Sequence, residues 1–245
     1  GLLSEKGKKI LENKYQSINL LPGGVVAVEL WGKKGLTDLE GRTLLPLQYD
    51  GFAAGESQTV ALLKNKLFGV YFPEQKNIIA PTYDALLRFY GNSDSLLIAK
   101  KGKFGIINRA GEEITPFLFE EIRYWNTEAM LVKHEGRWKI YQINGKHFTE
   151  EVFDSYERFS SEGEEQLILT YRSSGYGLLS NVRGRIIPEE YSEILNIGTA
   201  QHPFYRIERD FSKTQVHVVF FVDGEGKTVK RQLLNDADYQ KISCQ

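Results

Sequence analysis

The chain has 245 residues, and its 31 Lys and Arg against 32 Asp and Glu leave a net charge of −1. That balance argues against a dedicated nucleic-acid binder, which carries a basic excess on one face. No apolar run approaches the ~18 residues needed to span a bilayer, and the single cysteine, Cys244, permits neither an intrachain disulfide nor a cysteine-rich zinc site.

Read from its start, the chain repeats itself about every 35 residues. The first landmark is an aromatic residue, a glycine and an aliphatic residue. It reads Gly1-Leu2, Lys34-Gly35-Leu36, Phe68-Gly69-Val70, Phe104-Gly105-Ile106, Trp138-Lys139-Ile140 and Tyr176-Gly177-Leu178. A second landmark always follows 14 residues later, at Tyr15, Tyr49, Tyr83, Phe119, Phe153 and Tyr191, although the spacing between units drifts through 34, 34, 36, 34 and 38. A fixed internal offset with variable spacers marks stacked copies of one supersecondary unit. No leader sequence is visible, and the chain opens inside a repeat.

The unit at Leu96–Trp125 shows the plan most clearly. Leu96–Lys100 and Phe104–Ile107 read as strands joined by the turn Lys101-Gly102-Lys103. Asn108–Gly111 is a second turn. Glu112–Thr115 is a third strand, stopped by Pro116 because proline cannot donate a ladder hydrogen bond. Phe119–Trp125 is a fourth extended segment of the same unit. Turn glycines recur at Gly7, Gly41, Gly111, Gly145 and Gly184, with Gly226 a loose match, and prolines recur at Pro46, Pro81, Pro116 and Pro188. Apolar residues three positions beyond the second landmark (Ile18, Phe52, Leu86, Ile122, Tyr156, Ile194) are expected to face a shared core. So are most of those three further on (Leu21, Phe89, Trp125, Phe159, Ile197). Only Asp236–Lys241 suggests helix.

The expected fold is therefore all-β. It is one domain over residues 1–245, with units starting near 1, 35, 69, 105, 139 and 177 and a divergent C-terminal cap over 204–245. The tandem β-meanders predict an open superhelical array. The alternative is a six- or seven-bladed propeller, against which the unit length of ~35 residues is short.

These motifs resemble the WG-repeat family of bacteria, most closely at Gly102–Gly111 and Ile79–Asp84. Phe and Tyr stand in for Trp in most units, and Lys139 stands in for Gly in one. The resemblance implies β-repeat proteins that bind partners, often exported or attached to the cell envelope, with no shared catalytic residues. It includes the acid after each aromatic landmark (Asp50, Asp84, Glu120, Asp154), expected to cap nearby backbone amides.

The search for chemistry returns little. His134, His147, His202 and His217 show no metal-ligand spacing, and His217 is expected to face solvent. There is no nucleophile elbow and no phosphate loop. Asp223–Lys227 reads as a hairpin turn, lacking the acid spacing of a calcium loop, and Glu162–Glu165 as a solvated acidic loop. No catalytic, metal or cofactor site is predicted. The aromatic residues off the core pattern are Tyr90, Tyr124, Tyr171, Phe204 and Tyr205. Of these Tyr90, Tyr124, Tyr171 and Tyr205 form the candidate ligand surface. The expected function is non-catalytic binding of a protein or envelope polymer, without nucleic acid. Carbohydrate binding or processing is the alternative.

Overall fold

A computed structural model describes residues 1–55, 58–88, 96–162, 164–173, 175–211 and 216–243. Strands dominate, all paired antiparallel, and the one α-helix among the described residues is the terminal Asp236–Ser243. The chain divides into two compact units, Gly1–Ile122 and Arg123–Gln245.

The first unit opens with a two-stranded sheet, Leu2–Leu3 and Lys9–Leu11. A four-stranded meander follows: Ser17–Leu21, Val25–Leu30, Lys33–Asp38 and Thr43–Tyr49. The next is Gly51–Ala54, Val60–Lys64, Leu67–Phe72 and Asn77–Tyr83. Counting from the sheet after the opening pair, the third sheet, Ala85–Arg88, Leu96–Lys101 and Lys103–Asn108, receives its returning segment only through the single bridges Ile107–Glu113 and Phe104–Phe119. In the second unit lie Ala129–His134, Arg137–Gln142 and His147–Phe153, in a sheet opened by the strand Glu121–Tyr124. Then come Ser155–Glu162, Glu165–Arg172, Gly175–Ser180 and Gly184–Tyr191. The last sheet is Glu193–Asn196, Phe204–Phe211, Val216–Asp223 and Thr228–Asn235.

The all-β reading and the repeated meander hold, but the sheet boundary differs from expectation. The segment after the aromatic landmark does not close its own sheet. It opens the next one: Ala85–Arg88, for example, pairs with Leu96–Lys101. Each landmark aromatic thus ends one sheet, and the residue after it turns the chain into the following sheet. The segment 204–245, divergent in sequence, supplies three regular strands of the last sheet.

The predicted strand Glu112–Thr115 before Pro116 does not form, leaving only the two bridges, and elsewhere the prolines do not stop the third strand. Pro46, Pro81 and Pro188 lie inside the strands Thr43–Tyr49, Asn77–Tyr83 and Gly184–Tyr191. Each of these is the edge strand of its sheet, where a missing N–H is tolerated. Around each proline the register slips by two residues. Lys34 pairs Tyr49 while Leu36 pairs Leu45; Phe68 pairs Tyr83 while Val70 pairs Ile79; Tyr176 pairs Tyr191 while Leu178 pairs Ile187. The bulged segment folds over the landmark glycine. A β-carbon there would lie 2.4 Å from the Ile79 carbonyl oxygen at Gly69, 2.8 Å from that of Ile187 at Gly177 and 2.9 Å from that of Leu45 at Gly35. Where Lys139 replaces glycine, Lys139 pairs directly with Val152 and the slip begins one residue later. The proline position in that sheet is Glu150.

The turns before the returning strands share one device. Asp38, Asn108 and Asp223 each accept two amide hydrogen bonds from two and four residues on. The glycine three residues on takes positive φ at Gly41, Gly111 and Gly226, which glycine adopts without steric cost. Gly226 therefore fits the pattern as well as the others. Asp223–Lys227 is the hairpin turn expected. Gly145 does not: the left-handed residue in its turn is Lys146, and in the second sheet it is Lys76.

Cores form between consecutive sheets within each unit. Val25, Leu36 and Tyr49 pack against Val60, Leu62 and Tyr71; Val70, Ile79 and Tyr83 pack against Ala99 and Ile107. In the second unit Trp138, Ile140 and Phe153 meet Ile168 and Leu179, and Leu178 and Ile187 meet Tyr205 and Ile207. Burial of one large apolar side chain contributes about 1.5–3 kcal/mol, and a lone sheet could bury only one face. The predicted core positions Ile18, Phe52, Leu86, Tyr156 and Ile194 all join these clusters. Ile197 does not, being 50% exposed, and Phe89 lies outside the described residues.

Two of the acids after the landmark cap amides, though distant ones, and the other two pair with basic side chains. The Asp50 carboxylate accepts from the amide of Asn65 at 2.6 Å, in a hairpin of the following sheet, and from Lys33 Nζ at 2.5 Å, in its own sheet. Asp84 accepts from the Gly102 amide at 2.7 Å. Glu120 pairs with Lys103 and Asp154 with Arg137. Lys33 and the Asn65 amide hold the Asp50 carboxyl below its usual range. A depressed folded pKa gives stability that is present above the unfolded carboxylate value, about 4, and lost as pH falls through the lower folded one. Asp50→Asn is therefore expected to lower stability at pH 7 and to flatten the acid limb of the stability curve. Urea midpoints measured from pH 2 to 7 check this.

Candidate functional site

The candidate site is a shallow cleft of about 230 Å³ in the second unit, lined by Ser155, Tyr156, Glu157, Leu169, Tyr171 and Tyr176. Strand pairing explains how these residues meet. Ser155 pairs with Tyr171, which pairs with Tyr176 on the next strand, and Glu157 pairs with Leu169. Alternation along the strands puts Ser155, Glu157, Leu169 and Tyr171 on one face. The Tyr171 and Tyr176 rings lie 5.2 Å apart, tilted by 56°. Tyr171 is 40% exposed. The Tyr156 ring turns the other way, edge-on to Trp138 at 4.8 Å, so it belongs to the core beneath. Arg158 and Arg172 alternate away from the cleft face.

Of the four tyrosines expected to form a ligand surface, Tyr171 alone lines this cleft. Tyr90 lies outside the described residues. Tyr124 is half-buried on the strand Glu121–Tyr124. Tyr205 is fully buried and belongs to the core between the last two sheets, so its place on a surface is corrected. Sequence alternation alone could not show that the last sheet covers it. Burial raises its phenol, and the nearby Arg183 opposes the shift. Phe204, the fifth off-pattern aromatic, stacks on Phe221. Sequence reasoning missed Glu157 and Tyr176. Tyr176 was absorbed by the repeat landmark, and the alternation from Ser155 was the signal that could have found Glu157.

The densest titratable cluster lies on the last sheet. The Tyr239 hydroxyl donates to Glu208 Oε2 at 2.5 Å. Arg206 pairs with Glu208 and, at 3.1 Å, with Glu193. His217 does not simply face solvent: it lies flat on Tyr239, ring centres 3.9 Å apart, with Nε2 3.0 Å from Asp236 Oδ1. Every contact here joins the terminal helix to the sheet or ties the sheet to itself, a structural use of these groups. Glu165, in the predicted acidic loop, likewise accepts from Ser180 at 2.5 Å and Arg183 at 2.7 Å; Gly163 of that loop lies outside the described residues. Among the described residues no group of three His, Cys, Asp or Glu converges as a metal site, and Cys244 lies outside them. No helix among them is long and apolar enough to cross a membrane.

The hydrogen bond to Glu208 pushes the Tyr239 phenol up to about 12. A raised folded pKa gives stability that is full below the unfolded value, about 10, and lost as pH rises from there toward 12. The contact should hold the helix at neutral pH and release it in strong base. Absorbance titration of tyrosinate should show one group ionising near pH 12 that Tyr239→Phe removes.

Residues 104–138 match the family model described as the WG containing repeat. No curated protein sequence matches the chain. Among solved structures, a eukaryotic initiation factor aligns at 10% identity over 94% of this chain and 69% of its own, with a TM-score of 0.36. Hsv2p of Kluyveromyces lactis aligns at 10% over 94% and 78%, TM-score 0.35. The WD40 domain of SCAP from fission yeast aligns at 10% over 93% and 71%, TM-score 0.30. Likeness at this level assigns no function. The matched segment holds the landmark Phe104-Gly105-Ile106, the Phe119 landmark and Glu120, which pairs with Lys103 just before it, and the sheets before and after it follow the same plan. Residues 104–138 are thus similar to the WG containing repeat, and the neighbouring sheets repeat the same plan.

Proposed function

We propose that this chain is a non-catalytic binding scaffold whose repeated sheets hold one aromatic-lined cleft open to a partner. The carrying observation is the contrast between two kinds of polar group. The polar clusters described above are spent on joining strands, sheets and the terminal helix. The cleft at Tyr171 instead turns one tyrosine ring and a carboxylate toward solvent, with the half-buried Tyr176 ring beside them, and aromatic residues of this kind anchor binding surfaces. The partner is a protein, bound outside the cytoplasm as the repeat family implies. Polar rim residues such as Ser155 would fix its orientation while the rings supply most of the contact area.

Replacing Tyr171 with a photo-crosslinking phenylalanine analogue in the source organism tests this. A discrete crosslinked protein, absent when the analogue is placed at exposed Lys230 instead, is expected. Equal adducts at both positions would remove the cleft as the binding site. Turnover of a substrate by the purified protein, abolished by a point substitution, would overturn the non-catalytic reading.

A further inference from the structure

The repeats permit a position-by-position comparison of the cleft with the other sheets. The amides of Asp50, Asp84, Asp154 and Ser192 donate to the carbonyls of Leu63, Lys100, Tyr171 and Glu208 respectively. These four residues therefore occupy one structural position. The first three each sit beside the landmark aromatic on the next strand: Leu63 pairs with Phe68, Lys100 with Phe104 and Tyr171 with Tyr176.

In the third sheet this pair is a cation and a ring. Lys100 Nζ lies 5.4 Å from the centre of the Phe104 ring, within the range where an ammonium is attracted by the ring's quadrupole. In the fifth sheet the lysine is replaced by Tyr171, so two rings stand together and no cation accompanies them. The position of Glu157, three residues beyond Asp154, is filled elsewhere by Asn19, Ala53, Leu87, Arg123 and Leu195. Glu157 is thus the one acid at this place. It is exposed, and its carboxylate has no ion-pair or hydrogen-bond partner among the described residues. Its strand partner is Leu169, which makes Tyr171 its diagonal neighbour, about 7–8 Å away. No Lys or Arg lines the cleft.

We propose that the cleft binds an organic cation, an alkylammonium group laid on the exposed Tyr171 ring and paired with the Glu157 carboxylate. The proposal rests on the reading of this cleft as the binding site. The sheet already uses the same chemistry internally at Lys100 and Phe104; here the cation must come from outside. An ammonium resting within about 6 Å of a ring face and in ion-pair contact with a carboxylate spans the Tyr171–Glu157 gap. A neutral group of the same size gains the ring contact without the charge. Both a lysine side chain of a protein partner and a choline headgroup carry this chemistry.

Titration of the full chain with acetyl-lysine-methylamide whose side-chain amine is free or trimethylated, and with choline, each followed by tyrosine chemical shifts, tests the inference. The uncharged control is 3,3-dimethylbutanol, the neutral isostere of choline. Saturable binding of a cation is expected, with the control at least about tenfold weaker. Glu157→Gln, which keeps the shape of the side chain, should weaken it about tenfold, and Tyr171→Ala should abolish it. Preference for the lysine probes supports a protein partner, whereas preference for choline would keep the cation site but overturn the protein as its source. Equal binding of the neutral isostere, or an unchanged Glu157→Gln, would overturn the cation reading while leaving the cleft a binding site. No shift with any probe, together with a specific crosslink at position 171, would also overturn it. No shift and no specific crosslink would remove the cleft altogether.

Discussion

At the landmark glycine the returning strand passes too close for a β-carbon. The need is for room, since Gly35, Gly69 and Gly177 do not have positive φ. The two-residue slip beside each proline brings the edge strand's carbonyl over the glycine and lets the landmark aromatic reach the core. The fixed offset of 14 residues follows from this geometry. One hairpin of set length, with its Asx turn, joins the glycine to the aromatic, and an insertion anywhere in it would misplace the bulge. The variable spacers fall elsewhere, between the aromatic and the next glycine, where the first two strands of a sheet can lengthen. Ser155–Glu162 and Glu165–Arg172 show this, each eight residues long in the widest spacer.

The same plan explains where function can reside. Positions that face the neighbouring sheet are committed to the core, and the acids after the aromatics are committed to hairpin amides or to basic residues of their own sheet. Sequence variation without structural cost is left to the exposed positions of the first two strands. There the fifth sheet carries Glu157 and Tyr171, where other sheets carry Asn19, Ala53, Leu87, Arg123 or Leu195 and Leu63, Lys100 or Glu208 respectively. A binding site made this way needs no departure from the scaffold, only a different side chain at a position the repeat leaves free.

Much of the scaffold was legible in the sequence because its signals are local. The glycine turns, the alternating strands and the invariant offset each depend on a few adjacent residues, and Asp236–Lys241 did form the terminal helix. The errors arose where pairing partners are distant. Nothing local to Phe119–Trp125 says that its strand belongs to the next sheet. Pro116 looks like a strand terminator until its counterparts are seen to run through bulged edge strands. Tyr205 and Tyr171 look alike in sequence, yet the former is sealed under the last sheet and the latter stands open. Lys139 looked like simple drift, but the missing glycine and the missing proline are one change, because without the close approach neither is required.

The most direct measurement is the unfolding free energy, by urea denaturation, of alanine substitutions at each landmark position. A graded loss is expected: about 3 kcal/mol at Gly69, where backbone atoms would meet the new β-carbon most closely, less at Gly35 and Gly177, and least at Gly105. There the nearest approach is 3.1 Å and partly involves the Phe117 side chain, which can turn aside. Lys139→Ala should cost under about 1 kcal/mol, the loss of an ion pair to the exposed Glu135 and a contact with the Phe148 ring. An equal loss at all four glycines, or a loss at Lys139 as large as at Gly69, would contradict close backbone approach as the constraint on which the fold depends.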